Sequence, residues 1–191
     1  MDRAVFFREI VKQPFGKKLA QSQVDGIDAV LDGWERFGSH DPRWCAYSLA
    51  TDFHETARTM RPIVEYGRGK GKSYGEPSGP YGQRYYGRGL VQLTWARNYT
   101  FATGRLRALG VIGANDDLAK NPELALREDI AVAIMIYGMM EGWFTGRKLP
   151  DYFRGARSDW VDARTIINGH DRARLVASYG MAFYHALEVA A

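Results

Sequence analysis

Cysteine is almost absent from this sequence, and long apolar runs are absent altogether. The one cysteine, Cys45, has no partner, so no disulfide can form within the chain. No window of about 18 residues is apolar and uncharged, so we predict no transmembrane helix and no stable membrane insertion. The N-terminal apolar segment is interrupted by Arg8, Glu9 and Lys12, which argues against a signal peptide. We therefore expect synthesis in the cytoplasm without an export signal.

Histidine is also scarce, which excludes the common zinc motifs. The four histidines are scattered along the chain without metal-ligand spacing. His54 and Glu55 open an H-E-x-x-H pattern, but Arg58 occupies the position of the second histidine. We predict no metal site, and we assign Cys45 to the hydrophobic core.

The positive charge of the chain is concentrated in one segment. The net charge is +4, and residues 58–88 carry seven basic side chains against two acidic ones, a local charge of +5. This pattern is typical of a surface that binds an anionic partner, such as nucleic acid, an anionic envelope or a carboxylate-bearing wall polymer. A loop that is merely solvated is the alternative. The segment contains no recognised groove-reading element, so we predict no nucleic-acid partner.

Helical periodicity covers most of the chain. With 191 residues and 46% hydrophobic content, the chain can bury one large core, and we predict a single domain over residues 1–191. Capping residues, including Ser22 and the pair Asp41-Pro42, mark helix starts. The predicted helices span 2–13, 23–36, 42–57, 95–109, 122–141, 158–167 and 172–188. The helix at 122–141 is apolar on nearly every side, so we expect it at the centre.

Residues 58–89 interrupt the helical pattern. They contain eight of the 21 glycines, and their mixture of small, polar and aromatic residues permits only a short, irregular β-hairpin. A loop of this length is uncommon in a compact domain unless it has a function. Leu90, Val91 and Leu93 then form a predicted brief extended segment. The predicted fold is mainly α: a helical bundle with a small β-lobe that forms a groove.

Two glutamates could supply acid–base chemistry in that groove. Glu55 lies in the last turn of the helix at 42–57, off its apolar stripe, where partial desolvation would keep its proton near neutral pH. Glu65 lies in the glycine- and arginine-rich loop, where water and cations would keep it ionised. Cleavage of a glycosidic bond needs one protonated and one ionised carboxyl group. Two solvated surface glutamates are the alternative.

The groove also has residues suited to sugars. Aromatic rings pack on the apolar faces of sugar rings, whereas amides and hydroxyls bind their substituents. The candidates are Tyr74, Tyr81, Tyr85, Tyr86, Gln92, Thr94, Asn98 and Asn168. Alternatively, the tyrosines anchor the long loop to the core.

Four segments of the sequence resemble the family 19 chitinases among the glycoside hydrolases. They are HETA around Glu55, YYGRGLVQLTWARNY at 85–99, NPELALRED at 121–129 and RTIINGHDRARLVASYGMAFY at 164–184. The longer stretch HETARTMRPIVEYGRGKG is most similar to the phage lysozyme, or endolysin, branch. The resemblance runs in order over residues 42–188. It implies a lysozyme-like α+β fold, an inverting mechanism and no metal or organic cofactor.

The resemblance also implies a role for individual residues. Glu55 corresponds to the general acid and Glu65 to the second carboxylate, with Glu76 as the alternative under a plant-like spacing. Thr94 corresponds to the hydroxyl residue that helps to place the attacking water. The implied substrate-binding residues are Gln92, Asn98, Asn168 and an arginine after the Asn-Gly turn, either Arg174 or Arg172. We add Tyr86 to this set from the groove tyrosines.

These features together predict a monomeric phage endolysin. It would bind peptidoglycan glycan strands and hydrolyse the β-1,4 bond between N-acetylmuramic acid and N-acetylglucosamine. We expect it to accumulate in the host bacterial cytoplasm and to reach the periplasm and cell wall once the membrane is opened. The first alternative is a chitinase that cleaves poly-N-acetylglucosamine. The second is a non-catalytic protein that binds wall glycan.

Overall fold

Helices carry most of the regular structure in the computed structural model, which describes residues 1–191. Seven α-helices follow one another along the chain: α1 (Arg3–Ile10), α2 (Gln21–Phe37), α3 (Pro42–Glu55), α4 (Ala96–Ala108), α5 (Glu128–Glu141), α6 (Leu149–Tyr152) and α7 (Ala173–Val189). Four short strands form two antiparallel hairpins: β1 (Ile63–Val64) with β2 (Arg88–Gly89), and β3 (Phe153–Arg154) with β4 (Arg157–Ser158). The prediction of a mainly α fold with a small β-lobe is confirmed.

The core is built around α3 and α5. Helix α3 packs mainly against α7, and α2 packs against α5. Nearly every residue of α5 from Ile130 to Met139 is buried, as its all-round apolar sequence predicts. Burial of each large apolar side chain stabilises the fold by about 1.5–3 kcal/mol. No helix combines the length and the apolar character that are needed to cross a bilayer.

Local capping explains where α2 and α3 begin. The side chain of Asp41 accepts a hydrogen bond from the Arg43 amide at 3.0 Å, with Pro42 in the first helical turn, as predicted. For α2 the prediction of Ser22 as the cap is wrong. The helix begins at Gln21, because the Gln23 side chain accepts a hydrogen bond from the Ala20 amide at 2.8 Å.

Several predicted helices differ from the observed ones. Arg127 has an extended backbone and divides the predicted helix at 122–141 into a 3₁₀ turn, Pro122–Leu126, followed by α5. The predicted helix at 158–167 is only a 3₁₀ turn over Asp162–Ile166. Helix α4 starts at Ala96, one residue later than predicted, after Trp95, whose φ is +72°.

The β-lobe is held to the helices by polar contacts and by buried side chains, including Met60 and Tyr85. β1 pairs with β2 in the register Ile63 to Gly89 and Val64 to Arg88. Leu90, Val91 and Leu93 are buried but form no strand, since only an isolated bridge joins Arg88 to Leu93. The buried Arg88 guanidinium donates to Glu123, to the Tyr99 hydroxyl and to two lobe carbonyls. Arg88 therefore connects the lobe to α4 and to the turn before α5.

The chain reverses sharply between α3 and the lobe. Ala57, Arg58 and Met60 all have positive φ, a conformation that costs about 1 kcal/mol or more for each residue other than glycine. A Cβ atom on Gly26 of α2 would lie 1.8 Å from the Met60 carbonyl oxygen, so only glycine allows this approach. The contact fixes the direction in which the chain leaves Glu55.

Candidate active site

A cleft of about 410 Å³ lies between the β-lobe and the helices. Its lining combines acidic, amide, hydroxyl and aromatic side chains. The lining residues are Glu55, Tyr74, Val91, Gln92, Leu93, Thr94, Trp95, Arg97, Asn98, Phe144, Ile167 and Asn168. A second cavity of about 280 Å³, between α2 and α5, has three acids, but Asp32, Glu128 and Asp129 all form ion pairs with arginines. The cleft of about 410 Å³ is the better candidate for chemistry, because it combines an acid with amide, hydroxyl and exposed aromatic side chains.

Glu55 is the last residue of α3 and faces this cleft. Its side chain is 17% exposed, and its Oε1 accepts a hydrogen bond from Arg164 Nη1 at 2.7 Å. The Oε2 atom has no hydrogen-bond partner within the chain. Arg164 is only 3% exposed, and its Nε donates to the Asp171 carbonyl, which fixes the direction of the guanidinium. Glu55 is thus held rigidly with one oxygen open to the cleft.

The arginine beside Glu55 differs from the one that the sequence predicts. Arg172 and Arg174 are exposed and lie outside the cleft lining, near the start of α7. Arg164 instead comes from the 3₁₀ turn Asp162–Ile166, and its carbonyl accepts from the Asn168 amide at 3.1 Å. The segment RTIINGHD contains this residue, but only its tertiary hydrogen bond to Glu55 identifies it.

Glu65 lies one hydrogen bond away from the cleft lining. Its Oε1 accepts from the Tyr74 hydroxyl at 3.0 Å, and its Oε2 accepts from the Gly87 amide at 3.1 Å. Tyr74 itself lines the cleft, and its ring packs edge-on against Trp95 at 5.4 Å. Glu76 is exposed outside the lining, 3.5 Å from Arg84. Of the two alternatives for the second carboxylate, Glu65 is the one that lies beside the cleft.

Burial raises the pKa of the Tyr74 phenol, and its hydrogen bond to Glu65 raises the pKa further. The phenol therefore keeps its proton and remains a donor at neutral pH. As the donor, it holds one Glu65 oxygen while the Gly87 amide holds the other. Both contacts are made to a carboxylate that accepts, which suits a base better than an acid.

The four predicted polar residues line the cleft, and some of their polar atoms have no partner within the chain. They are Gln92, Thr94, Asn98 and Asn168. The Thr94 hydroxyl and the Asn98 Oδ1 have no partner within the chain, while Asn98 Nδ2 donates to the Thr94 carbonyl at 2.8 Å. Gln92, at φ +53°, donates to the carbonyls of Ile63 and Gly89 and so supports the β1–β2 hairpin. Asn168 accepts from the Gly169 amide. Thr94 and Asn98 therefore present unpaired polar atoms in the cleft.

Two of the predicted groove tyrosines, Tyr85 and Tyr86, lie outside the cleft lining. The Tyr86 ring lies against Arg88, whose guanidinium carbon is 3.8 Å from the ring centroid, and Tyr86 is not in the cleft lining. Tyr85 is fully buried and donates to the Ala119 carbonyl. The prediction missed Trp95, which is 42% exposed in the cleft, and Phe144, which approaches from the end of α5. Phe144 is distant in sequence, so no local pattern indicates it.

A buried acid lies one helical turn before Glu55. Asp52 is fully buried, and neither carboxyl oxygen has a hydrogen-bond partner. Burial raises the pKa of Asp52 to about 8. The side chain is therefore mainly protonated at neutral pH and belongs to the packing of α3, with no opening to the cleft.

The fold matches that of solved chitinases. Chitinase C from Streptomyces griseus has 24% identity, with a TM-score of 0.58 over 98% of this chain and 75% of that chain. A mutant form of chitinase C has 22% identity and a TM-score of 0.53 over 98% and 90% of the two chains. A bacterial family 19 chitinase, at 24% identity over 91% and 93% of the chains, reaches only 0.40.

No protein-family model matches the sequence, and no curated protein matches it. The two chitinase C structures nevertheless agree with the present chain over nearly its whole length. The chain therefore has the chitinase-like, lysozyme-like fold that its sequence resemblance implies.

Proposed function

We propose that this protein is an inverting glycoside hydrolase that cleaves the β-1,4 bond between N-acetylmuramic acid and N-acetylglucosamine in peptidoglycan. The observation that carries this proposal is the pair of carboxylates at one cleft. Glu55 opens directly into the cleft, and Glu65 reaches it through Tyr74. A two-carboxylate mechanism needs such a pair on opposite sides of the scissile bond.

In this proposal Glu55 is the general acid. It carries its proton on Oε2, which faces the cleft, and donates it to the leaving glycosidic oxygen. Oε1 stays hydrogen-bonded to Arg164, whose charge stabilises the carboxylate that forms as the proton leaves. After product release, Glu55 takes up a proton from solvent, and Glu65 releases to solvent the proton that it removed from water. The buried arginine therefore assists the step in which Glu55 becomes charged.

Glu65 is the general base in the same proposal. It removes a proton from a water molecule that attacks the anomeric carbon from the far face of the sugar ring. The free Thr94 hydroxyl is a suitable group to orient that water. Inversion needs the two carboxyl groups about 6.5 to 9.5 Å apart, so that the water fits between Glu65 and the sugar.

The choice of peptidoglycan over chitin is supported by two features of the chain. The stretch HETARTMRPIVEYGRGKG resembles the endolysin branch, and the lobe carries a positive surface that suits an anionic wall polymer. Release from a host bacterial cytoplasm to the cell wall is part of the same proposal. The likeness in fold to chitinase C favours the second candidate, hydrolysis of poly-N-acetylglucosamine.

Parallel assays on permeabilised Gram-negative cells and on chitin oligomers test the substrate. We expect clearing of the cells and muramic acid at the new reducing ends by mass spectrometry. Clearing without that product, or cleavage of chitin alone, would contradict the proposed bond.

The variant Glu55→Gln tests whether the cleft is catalytic. We expect lysis to fall by about 100- to 10 000-fold, the usual contribution of a general acid, while binding to isolated cell walls is retained. The matched control is Glu35→Gln, which alters an exposed acid on α2 in the Arg3 ion-pair cluster. Equal lytic rates for Glu55→Gln and the original chain would reject Glu55 as the acid.

A further inference from the structure

We infer that three cations on one loop of the lobe bind the carboxylates of the peptide stems of peptidoglycan. The loop spans residues 66–73, and we call it the cationic loop. Its cations are Arg68, Lys70 and Lys72. This inference rests on the proposed function and names the part of the surface that distinguishes peptidoglycan from chitin.

The three cations are free, unlike most of the others in the lobe. Arg61 pairs with Glu128, Arg84 with Glu76, and the buried Arg88 with Glu123. A further cation, Arg58, lies over the ring of Phe53. Arg68, Lys70 and Lys72 are exposed and form neither an ion pair nor a side-chain hydrogen bond within the chain. The unneutralised charge of the segment is therefore concentrated on the cationic loop.

The cationic loop has a defined backbone despite its glycines. Successive turns are closed by hydrogen bonds from Arg68 N to Glu65 O, from Lys70 N to Gly67 O and from Lys72 N to Gly69 O, each of 2.9 Å. Gly69 packs directly on Gly75, and a Cβ atom on Gly75 would lie 2.1 Å from the Gly69 carbonyl oxygen. Because this contact joins two points on the backbone, the cations project from a fixed base.

The ends of the cationic loop are joined beside the cleft. Glu65 precedes the loop and Tyr74 follows it, and these two residues share the hydrogen bond of 3.0 Å already described. Because Tyr74 lines the cleft, the loop lies on the cleft rim, next to the proposed base. Arg97, an exposed residue of the cleft lining without an ion pair, adds a fourth positive charge to the cleft.

The chemistry of the two polymers explains why such a rim would be selective. Chitin is neutral near pH 7, whereas the peptide stems of peptidoglycan carry carboxylates beside every muramic acid. Cations on the rim attract those carboxylates, while the cleft itself binds the sugar backbone that both polymers share. Exposed charges are screened by salt, so the selectivity should weaken as ionic strength rises.

The variant Arg68→Gln/Lys70→Gln/Lys72→Gln tests this inference. The quantity measured is the ratio of kcat/KM on peptidoglycan with intact stems to kcat/KM on the same glycan after an amidase has removed the stems. We expect this ratio to fall about tenfold at low salt and by less at about 0.5 M salt, as for screened surface charges. The matched control is Arg8→Gln/Lys17→Gln/Lys18→Gln, which removes one arginine and two lysines that are exposed and unpaired near the N-terminus. An unchanged ratio, or an equal fall in the control, would overturn the inference.

A binding measurement separates this inference from the proposed catalysis. In the Glu55→Gln background, sedimentation with stem-bearing and stem-free sacculi gives the affinities without hydrolysis. We expect the cationic-loop variant to lose about tenfold of its preference for stem-bearing walls. If that preference changes while the original chain cleaves neither polymer, only the proposed hydrolysis fails. If the original chain lyses cells but the preference is insensitive to the loop, only the present inference fails.

Discussion

Helix α3 and the β-lobe are neighbours in sequence, but they are stabilised in opposite ways. Helix α3 is buried along most of its length and carries Glu55 at its end, so packing fixes the backbone of the acid and Arg164 holds its side chain. The lobe has only two-residue strands, and besides a few buried side chains such as Tyr85 it depends on turn hydrogen bonds and on Arg88. The candidate base, Glu65, is held by two hydrogen bonds, and a single substitution of Tyr74 can remove one of them. The two halves of the site should respond differently to mutation.

The prediction with the largest expected effect tests the candidate base, Glu65. We expect Glu65→Gln to lower kcat by about 1000-fold, because an amide cannot accept a proton from water. The matched control, Glu76→Gln, removes only an exposed contact with Arg84 and should change kcat by less than about twofold. Steady-state kinetics on peptidoglycan measure both variants. A larger loss in Glu76→Gln would move the role of base to that residue.

The next prediction removes Arg88, the residue that connects the lobe to the helices. We expect Arg88→Met to lower the free energy of unfolding by about 3 kcal/mol, because the carbonyls of Arg84 and Tyr86 lose a buried donor. The ion pair adds little to this loss, since the partner Glu123 is more than half exposed. Chemical denaturation measures the change, and limited proteolysis should cut residues 58–89 faster.

Arg61→Met is the control for that experiment. Arg61 and Glu128 form a pair in which both side chains are more than a third exposed, so the loss should stay below about 1 kcal/mol. Equal destabilisation by the two variants would show that Arg88 has no special role in holding the lobe.

The last prediction concerns the helical side of the comparison and depends on pH. Because Asp52 has a pKa of about 8 when buried and ionises near pH 4 in the unfolded chain, stability should fall as pH rises between those values. Asp52→Asn cannot ionise. We expect it to stabilise the protein by several kcal/mol more at pH 8 than at pH 4, as measured by denaturation at both values. A gain that is the same at both pH values would contradict this explanation.

Sequence reasoning succeeds where the determinants are local. The Asp41-Pro42 start of α3, the apolar surface of α5 and the glycine-rich lobe all follow from neighbouring residues. Arg164 does not, because its pairing with Glu55 joins residues 109 positions apart. Arg127 was also missed, since its extended backbone breaks a pattern that remains apolar on both sides. The tyrosines show a third limit: Tyr85 and Tyr74 have similar sequence surroundings, but one is buried in the core and the other lines the cleft.

The hydrogen bond between Glu65 and Tyr74 has an evolutionary consequence. This hydrogen bond joins the two ends of the cationic loop. Residues within the loop can therefore be exchanged or inserted without displacing the Glu65 carboxylate. Recognition of a polymer and cleavage of its backbone can then change in separate steps. A lineage with this arrangement could change the proposed glycan target through a few surface substitutions while it retained the proposed catalytic pair.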